Sequence, residues 1–168
     1  MESTIGPLPL TVKLYLIRHA HALPVKAASD DSSRPLSPRG RTQVAALAAV
    51  LKGTGEFTPA TVWHSPLCRA RETAERLADR LKLKAPLVTV AGLRPDEPPE
   101  SMAERLIRAG ESVAVVGHNP QLSAVASLLV TGNLEPPVFD LKKGSILALD
   151  REAGRWTVRW LITPDLFT

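Results

Sequence analysis

Val12-Lys13-Leu14-Tyr15-Leu16-Ile17-Arg18-His19 is a short run of apolar strand formers that stops abruptly at a guanidinium and an imidazole. A run this short, with no clean polar face, fits a strand covered on both sides, as in a parallel sheet. The pattern recurs further along the chain. Thr61-Val62-Trp63 runs into His64-Ser65, and Val113-Ala114-Val115-Val116 runs into Gly117-His118-Asn119-Pro120.

Helical segments lie between these runs. Leu36 to Lys52 is expected to be a helix, with Ser37 as N-cap, Pro38 at the first helical position and Val44, Leu47, Ala48 and Leu51 at helical spacing. Gly53 is placed to end it. A second helix is expected from Pro66 to about Lys82, with Ser65 as N-cap, an apolar face built from Leu67, Ala70, Ala74, Leu77, Ala78 and Leu81, and a Glu72–Arg76 pair opposite. After a Pro-rich loop at Arg94 to Pro99 comes a third helix, from about Glu100 to Ala109. Asn119 can cap, and Pro120 open, a fourth that ends near Gly132. The tail differs: Ser145 to Leu149 and Trp156 to Leu161 read as a hairpin turning at Ala153-Gly154. Strands alternating with helices predict an α/β three-layer sandwich, with a mainly parallel central sheet, helices on both faces and one antiparallel edge. Residues 1–10 read as a loose arm and 11–168 as one domain.

Composition narrows the class. The chain has 168 residues, 44% hydrophobic and 23% charged, ordinary for a globular domain with its own core. A single cysteine, Cys68, excludes an internal disulfide, and no Cys/His spacing resembles a zinc site. The N-terminal residues carry Glu2, Gly6, Pro7 and Pro9 where a signal peptide needs a basic end and an unbroken apolar run, so a cytoplasmic setting is expected. No apolar stretch approaches a membrane span, and no membrane partner is expected. The net charge of +4 is spread along the chain without aromatic interleaving, which argues against nucleic acid. The basic residues are 14 Arg and 7 Lys, a bias toward the side chain that grips phosphate in a fork.

In an open parallel sheet the carboxyl ends of the strands form the ligand crevice. That rule brings Arg18-His19, His64-Ser65 with Arg69, and Gly117-His118 to one edge, beside the N-termini of two helices. Arginines, histidines and helix N-termini suit a phosphoryl group. The chain has no G-x-x-x-x-G-K-[ST] loop, no C-x5-R loop and no dense carboxylate cluster for magnesium, so no nucleotide or metal cofactor is expected. The nucleophile that remains is a neutral imidazole.

Leu16-Ile17-Arg18-His19-Ala20 resembles the Arg-His-Gly signature of the histidine phosphatase superfamily, the phosphoglycerate-mutase-like enzymes. Ser65-Pro66-Leu67-Cys68-Arg69-Ala70-Arg71-Glu72-Thr73 is similar to its S-P-x-x-R-A-x-x-T motif, and Val116-Gly117-His118-Asn119-Pro120 to its second-histidine motif. The short chain and the segment Asp31-Ser32-Ser33-Arg34-Pro35-Leu36-Ser37 resemble the small SixA-type phosphohistidine phosphatase branch. The resemblance spans about residues 12 to 161. It implies a phosphoglycerate-mutase-like fold, His19 as the phosphorylated nucleophile, Arg18 and Arg69 holding the phosphoryl oxygens, and His118 completing the pocket. The implied substrate is a phosphorylated histidine protein or a small phosphorylated molecule.

The chain departs from the pattern at Ala20, which replaces the usual Gly and would be strained if the backbone there had to be left-handed. His21 stands where relatives carry an acidic or polar residue, and can add a donor to the pocket or point outward. For a general acid the candidates are Asp96, Glu97 and Glu100. A phosphohistidine substrate relaxes that need, because imidazole leaves far more readily than an alkoxide. Arg34 can order its loop or touch substrate. His64 reads as a structural residue, Cys68 as an ordinary helix residue, and Trp63, Trp156 and Trp160 as packing residues. Three other readings stand beside a phosphohistidine phosphatase: a small-molecule phosphomonoesterase of the same fold, a non-catalytic phosphoprotein-binding domain, and a metal hydrolase built on the His19-Ala20-His21 pair.

Overall fold

The computed structural model describes residues 11–168; the arm expected over 1–10 lies outside the described residues. In chain order the elements are β1 (Val12–Arg18), α1 (Pro38–Thr54), β2 (Thr61–His64), α2 (Cys68–Leu81), β3 (Leu87–Thr89), α3 (Pro99–Arg108), β4 (Val113–Gly117), α4 (Gln121–Thr131), β5 (Ile146–Glu152) and β6 (Arg155–Ile162). The strands form one six-stranded sheet in the order β3-β2-β4-β1-β5-β6. Pairings β1/β4, β2/β4 and β2/β3 are parallel, whereas β5 runs antiparallel to both β1 and β6. The β5–β6 hairpin forms the antiparallel edge of the sheet, and within it β5 is the strand that runs against the others.

Alternation along β1 explains the layers. Leu14 and Leu16 pack with α3 and α4 residues Met102, Leu106, Leu122 and Val125. Tyr15 and Ile17 face the opposite way, onto Val44, Leu47 and Leu51 of α1 and Ala70, Ala74 and Leu77 of α2. The apolar run is thus two half-runs on opposite faces, each covered by a helix pair, as the side-chain period of 2 requires.

Several local expectations are corrected. Ser37 does cap α1, accepting from Gly40 N–H at 3.1 Å, but the helix runs through Gly53 and ends where Gly55 is left-handed at φ 66°. Helix α2 begins at Cys68, with extended Leu67 at its cap position and no side-chain cap bond. Ser65 lies three residues before Cys68, so its hydroxyl, which accepts from Leu67 N–H at 3.3 Å and meets His118 Nε2 at 2.8 Å, holds the approach to the helix and not its first turn. Asn119 does cap α4, accepting from Ser123 N–H at 3.2 Å, although the first helical residue is Gln121. Strand β3 has no counterpart in the sequence reading. Among the described residues no helix is long and apolar enough to cross a membrane.

Candidate active site

The site forms where three neighbouring strands end together. Gly117 of β4 is the register partner of Arg18 of β1, and Val116 that of His64 of β2. The ladder continues one residue past each end: His19 N–H donates to Gly117 O at 2.9 Å and Ser65 N–H to Val116 O at 3.0 Å. His19, Ser65 and His118 are therefore fixed side by side by backbone pairing alone, and the His19 and His118 ring centroids lie 5.0 Å apart.

His19 is buried. Its Nδ1 lies 2.7 Å from Ala20 O. A carbonyl only accepts, so Nδ1 carries the proton and Nε2 holds the free lone pair. Burial, reinforced by His118, Arg69 and Arg18, pushes the His19 pKa down to about 3 against the Ala20 bond, which favours the charged ring. Burial and the arginines Arg69 and Arg18 likewise push His118 down to about 3. Both rings are neutral at pH 7. The Ser65 hydroxyl accepts from Leu67 N–H at 3.3 Å and can donate to His118 Nε2, which places the His118 proton on Nδ1.

The arginines are held by their surroundings. Arg18 donates from Nη1 to Leu141 O at 2.8 Å. Arg69, on the first turn of α2, donates from Nη1 to Asp31 O at 2.9 Å and from Nη2 to Asp31 Oδ2 at 3.3 Å. Burial depresses both guanidinium pKa values; Asp140 opposes this for Arg18 and Asp31 for Arg69. Arg18 Nε, Arg69 Nε and His118 Nδ1 are buried with no hydrogen-bond partner among the described residues. Unpaired buried donors cost about 1–3 kcal/mol each, and three on adjoining residues amount to a site organised for an acceptor-rich ligand.

The remaining candidates separate. Ala20 is fully buried in the core beside α2, its N–H donates to Thr73 Oγ1 at 3.1 Å, and it does not have positive φ, so the feared strain is absent. His21 Nδ1 pairs with Ser37 Oγ at 2.7 Å, which ties it to the cap of α1. The His19 and His21 rings thus serve different partners, and among the described residues no group of three His, Cys, Asp or Glu gathers as a metal site. His64 bonds its neighbour's carbonyl, Ser65 O, at 3.0 Å, a structural contact. Arg34 orders its loop through Asp31 Oδ1 at 2.9 Å and Leu23 O at 3.1 Å.

Of the carboxylates, Glu97 Oε2 accepts from Arg94 N–H at 2.7 Å and so closes its own turn. Glu100 lines a groove with Ile107, Leu128 and Trp156 on the α3/α4 side. Asp96 is exposed, in a groove of about 430 Å³ shared with Asp30, Asp31, Leu67 and Arg94. Three features escaped the sequence reading: the Asp31–Arg69 clamp, the Ser65–His118 bond, and Lys143. Lys143 sits half-buried among Arg18, Arg34, Arg39 and Arg69 and is depressed by burial and then by those charges. The adjacent Gly144 N–H reaches Arg18 O and His19 O, both at 3.1 Å, so this turn braces the His19 segment.

Comparison with known proteins gives a consistent picture. The sequence pattern of the histidine phosphatase superfamily (branch 1) matches residues 14–95. No curated protein matches significantly. The structure of the protein histidine phosphatase SixA complexed with tungstate superposes with a TM-score of 0.83 at 26% identity, covering 94% of this chain and all (100%) of that one. A SixA-assigned protein from Agrobacterium tumefaciens gives 0.78 at 21%, covering 91% of this chain and 98% of that one. Phosphoglycerate mutase from Bacillus anthracis gives 0.65 at 16%, covering 89% and 92%, so the architecture is the phosphoglycerate-mutase-like one.

Proposed function

We propose that the chain, whose residues 14–95 match the pattern of the histidine phosphatase superfamily, is a cofactor-independent phosphatase that removes phosphate from a phosphohistidine protein through a phospho-His19 intermediate. His19 Nε2 attacks phosphorus as the N–P bond to the substrate imidazole breaks; the bond's electron pair stays on that nitrogen, and the substrate ring, already protonated on its other nitrogen, departs as neutral imidazole. Arg18, Arg69 and His118 donate to the three non-bridging oxygens, where negative charge is spread in transfer. Water then hydrolyses the phospho-His19 bond, releasing inorganic phosphate and regenerating the neutral ring.

The carrying observation is the set of unpartnered buried donors on Arg18, Arg69 and His118, flanking a neutral His19 with a free Nε2. Tungstate in the similar SixA structure is an oxyanion of suitable charge and shape. The phosphohistidine preference is supported by the carboxylates. Asp31 is engaged by Arg69 and Arg34, Glu97 by its own loop, and Glu100 lies elsewhere. A site without a free acid aimed at the leaving group handles imidazole more readily than alkoxide. Asp96 is the carboxylate through which ester hydrolysis would run.

Phosphate release from a phosphohistidine-bearing protein and from p-nitrophenyl phosphate, measured in parallel with a chelator, tests this reading. Wild type is expected to prefer the phosphoprotein, to keep full activity in chelator and to be inhibited by vanadate, whereas His19→Ala is inactive. Preference for the ester, with loss in Asp96→Asn, moves the assignment to a small-molecule phosphomonoesterase. Substantial turnover by His19→Ala would refute the covalent mechanism.

A further inference from the structure

We propose that Asp31 is the positioning residue of the phosphoryl pocket: it fixes the aim of Arg69, and its charge holds down the pocket's affinity for the free oxyanion. This rests on the reading that Arg69 receives a phosphoryl group.

The Arg69 side chain is 5% exposed and that of Asp31 is 56%, so a carboxylate caps a buried guanidinium from the solvent side. Both η nitrogens of Arg69 are engaged by this one residue, Nη1 by its carbonyl and Nη2 by Oδ2, which leaves Nε–H and the second N–H of each η nitrogen for a ligand. The other carboxylate oxygen, Oδ1, takes Arg34 Nε at 2.9 Å. Two further bonds staple the loop. Arg34 Nη1 donates to Leu23 O at 3.1 Å, and Cys68 N–H, one residue before Arg69, donates to Ser32 O at 2.9 Å. Asp31 is thus held in place from both sides and holds Arg69 in turn. A guanidinium clamped this way does not reorganise as charge develops on the phosphoryl oxygens.

The same carboxylate has an electrostatic cost. It brings a negative charge to the rim of a pocket that must release inorganic phosphate, which carries between one and two negative charges near neutral pH. Its repulsion weakens ground-state and product binding, while its hydrogen bonds sharpen the transition-state donor. Removing the charge and changing the aim are therefore separable.

Inorganic phosphate affinity, read by calorimetry, and kcat on the phosphohistidine protein separate them. Asp31→Asn keeps the shape but loses the charge, and turns an amide N–H toward one of the two guanidiniums it served. It should bind phosphate about threefold to tenfold more tightly and turn over about tenfold more slowly. Asp31→Glu keeps the charge on a longer arm, so phosphate affinity should stay at the wild-type value while kcat falls. Unchanged affinity and kcat in Asp31→Asn would overturn the proposal. So would weaker phosphate binding together with a lowered Tm, because that marks a loop contact alone. If wild type binds phosphate but hydrolyses neither substrate, the phosphatase reading fails, and the affinity shift in Asp31→Asn still decides whether Asp31 limits anion binding.

Discussion

Ala20 stands directly after the proposed nucleophile, where the superfamily signature carries glycine, and it raised the prospect of a damaged site. Its backbone does not have positive φ, its methyl is sealed in the core, and its N–H and C=O hold Thr73 and the His19 ring. Glycine would remove a buried methyl and loosen a segment whose stiffness sets the ring. Ala20→Gly is therefore expected to lower stability by about 1 kcal/mol and to leave kcat no higher than wild type; thermal unfolding and steady-state kinetics check both. A several-fold rise in kcat would mean that the methyl obstructs the site. The donors act differently. Arg18→Ala, Arg69→Ala and His118→Ala should each lower kcat/KM by about a hundredfold or more, the usual loss for one transition-state donor. Tm should change less for Arg18→Ala than for His118→Ala, since His118 is almost fully buried and bonded to Ser65. The sequence reading placed Arg18, His19, Arg69 and His118 at one sheet edge because each follows closely on a strand end, where local pattern alone fixes direction. Asp31 and Lys143 were not, because each reaches the site only once a distant segment folds against it.

The junction of α1 with the segment after β1 carries its own prediction. Gly40, on the first turn of α1, lies so close to His21 that an added Cβ would overlap His21 O. No flexible side chain can yield there, because the obstruction is backbone. Gly40→Ala should cost at least the roughly 1–3 kcal/mol of an overpacked core and displace His21 and the Ser37 cap with it; chemical denaturation and turnover together measure this. The glycine's closeness is a tertiary fact, and only its placement in the first helical turn was visible beforehand. Other elements divide in the same way. Ser37-Pro38 marked the start of α1 correctly, because capping is local chemistry. The end of α1 was misread by two residues because Gly53 and Gly55 are equally good by composition, and only the chain's turn selects Gly55. The start of α2 was misread by two residues: Ser65 does accept from Leu67 N–H, but Leu67 stays extended and the helix begins only at Cys68. Strand β3 spans only Leu87–Thr89, too short for any period to register, and owes its existence to pairing with β2.

Over the whole molecule, the site's neutral histidines couple function to stability in acid. Free histidine titrates near 6.5, whereas burial holds His19 and His118 down to about 3 in the folded chain. Between those values the unfolded chain binds two protons that the folded chain refuses, so stability rises with pH through this window. The contribution of the neutral rings is complete above pH 6.5 and is lost progressively as pH falls toward 3. The expected slope is about 1.4 kcal/mol per pH unit for each histidine, at most about 2.7 for both. Urea denaturation at pH 7.5, 6.5, 5.5 and 4.5 reads this slope, and the two upper intervals lie above the range where most carboxylates begin to contribute. His118→Asn removes one proton site while keeping a polar group that can meet Ser65, so its slope between pH 6.5 and 5.5 should be clearly shallower than that of wild type, the remainder being carried by His19 and by His21, whose pKa burial also lowers. A wild-type curve that stays flat from pH 7.5 to 5.5 would mean that both rings accept protons in the folded chain as readily as in the unfolded one. His19 would then lack its free lone pair through much of that range, and the covalent mechanism would have to begin by removing a proton from the nucleophile.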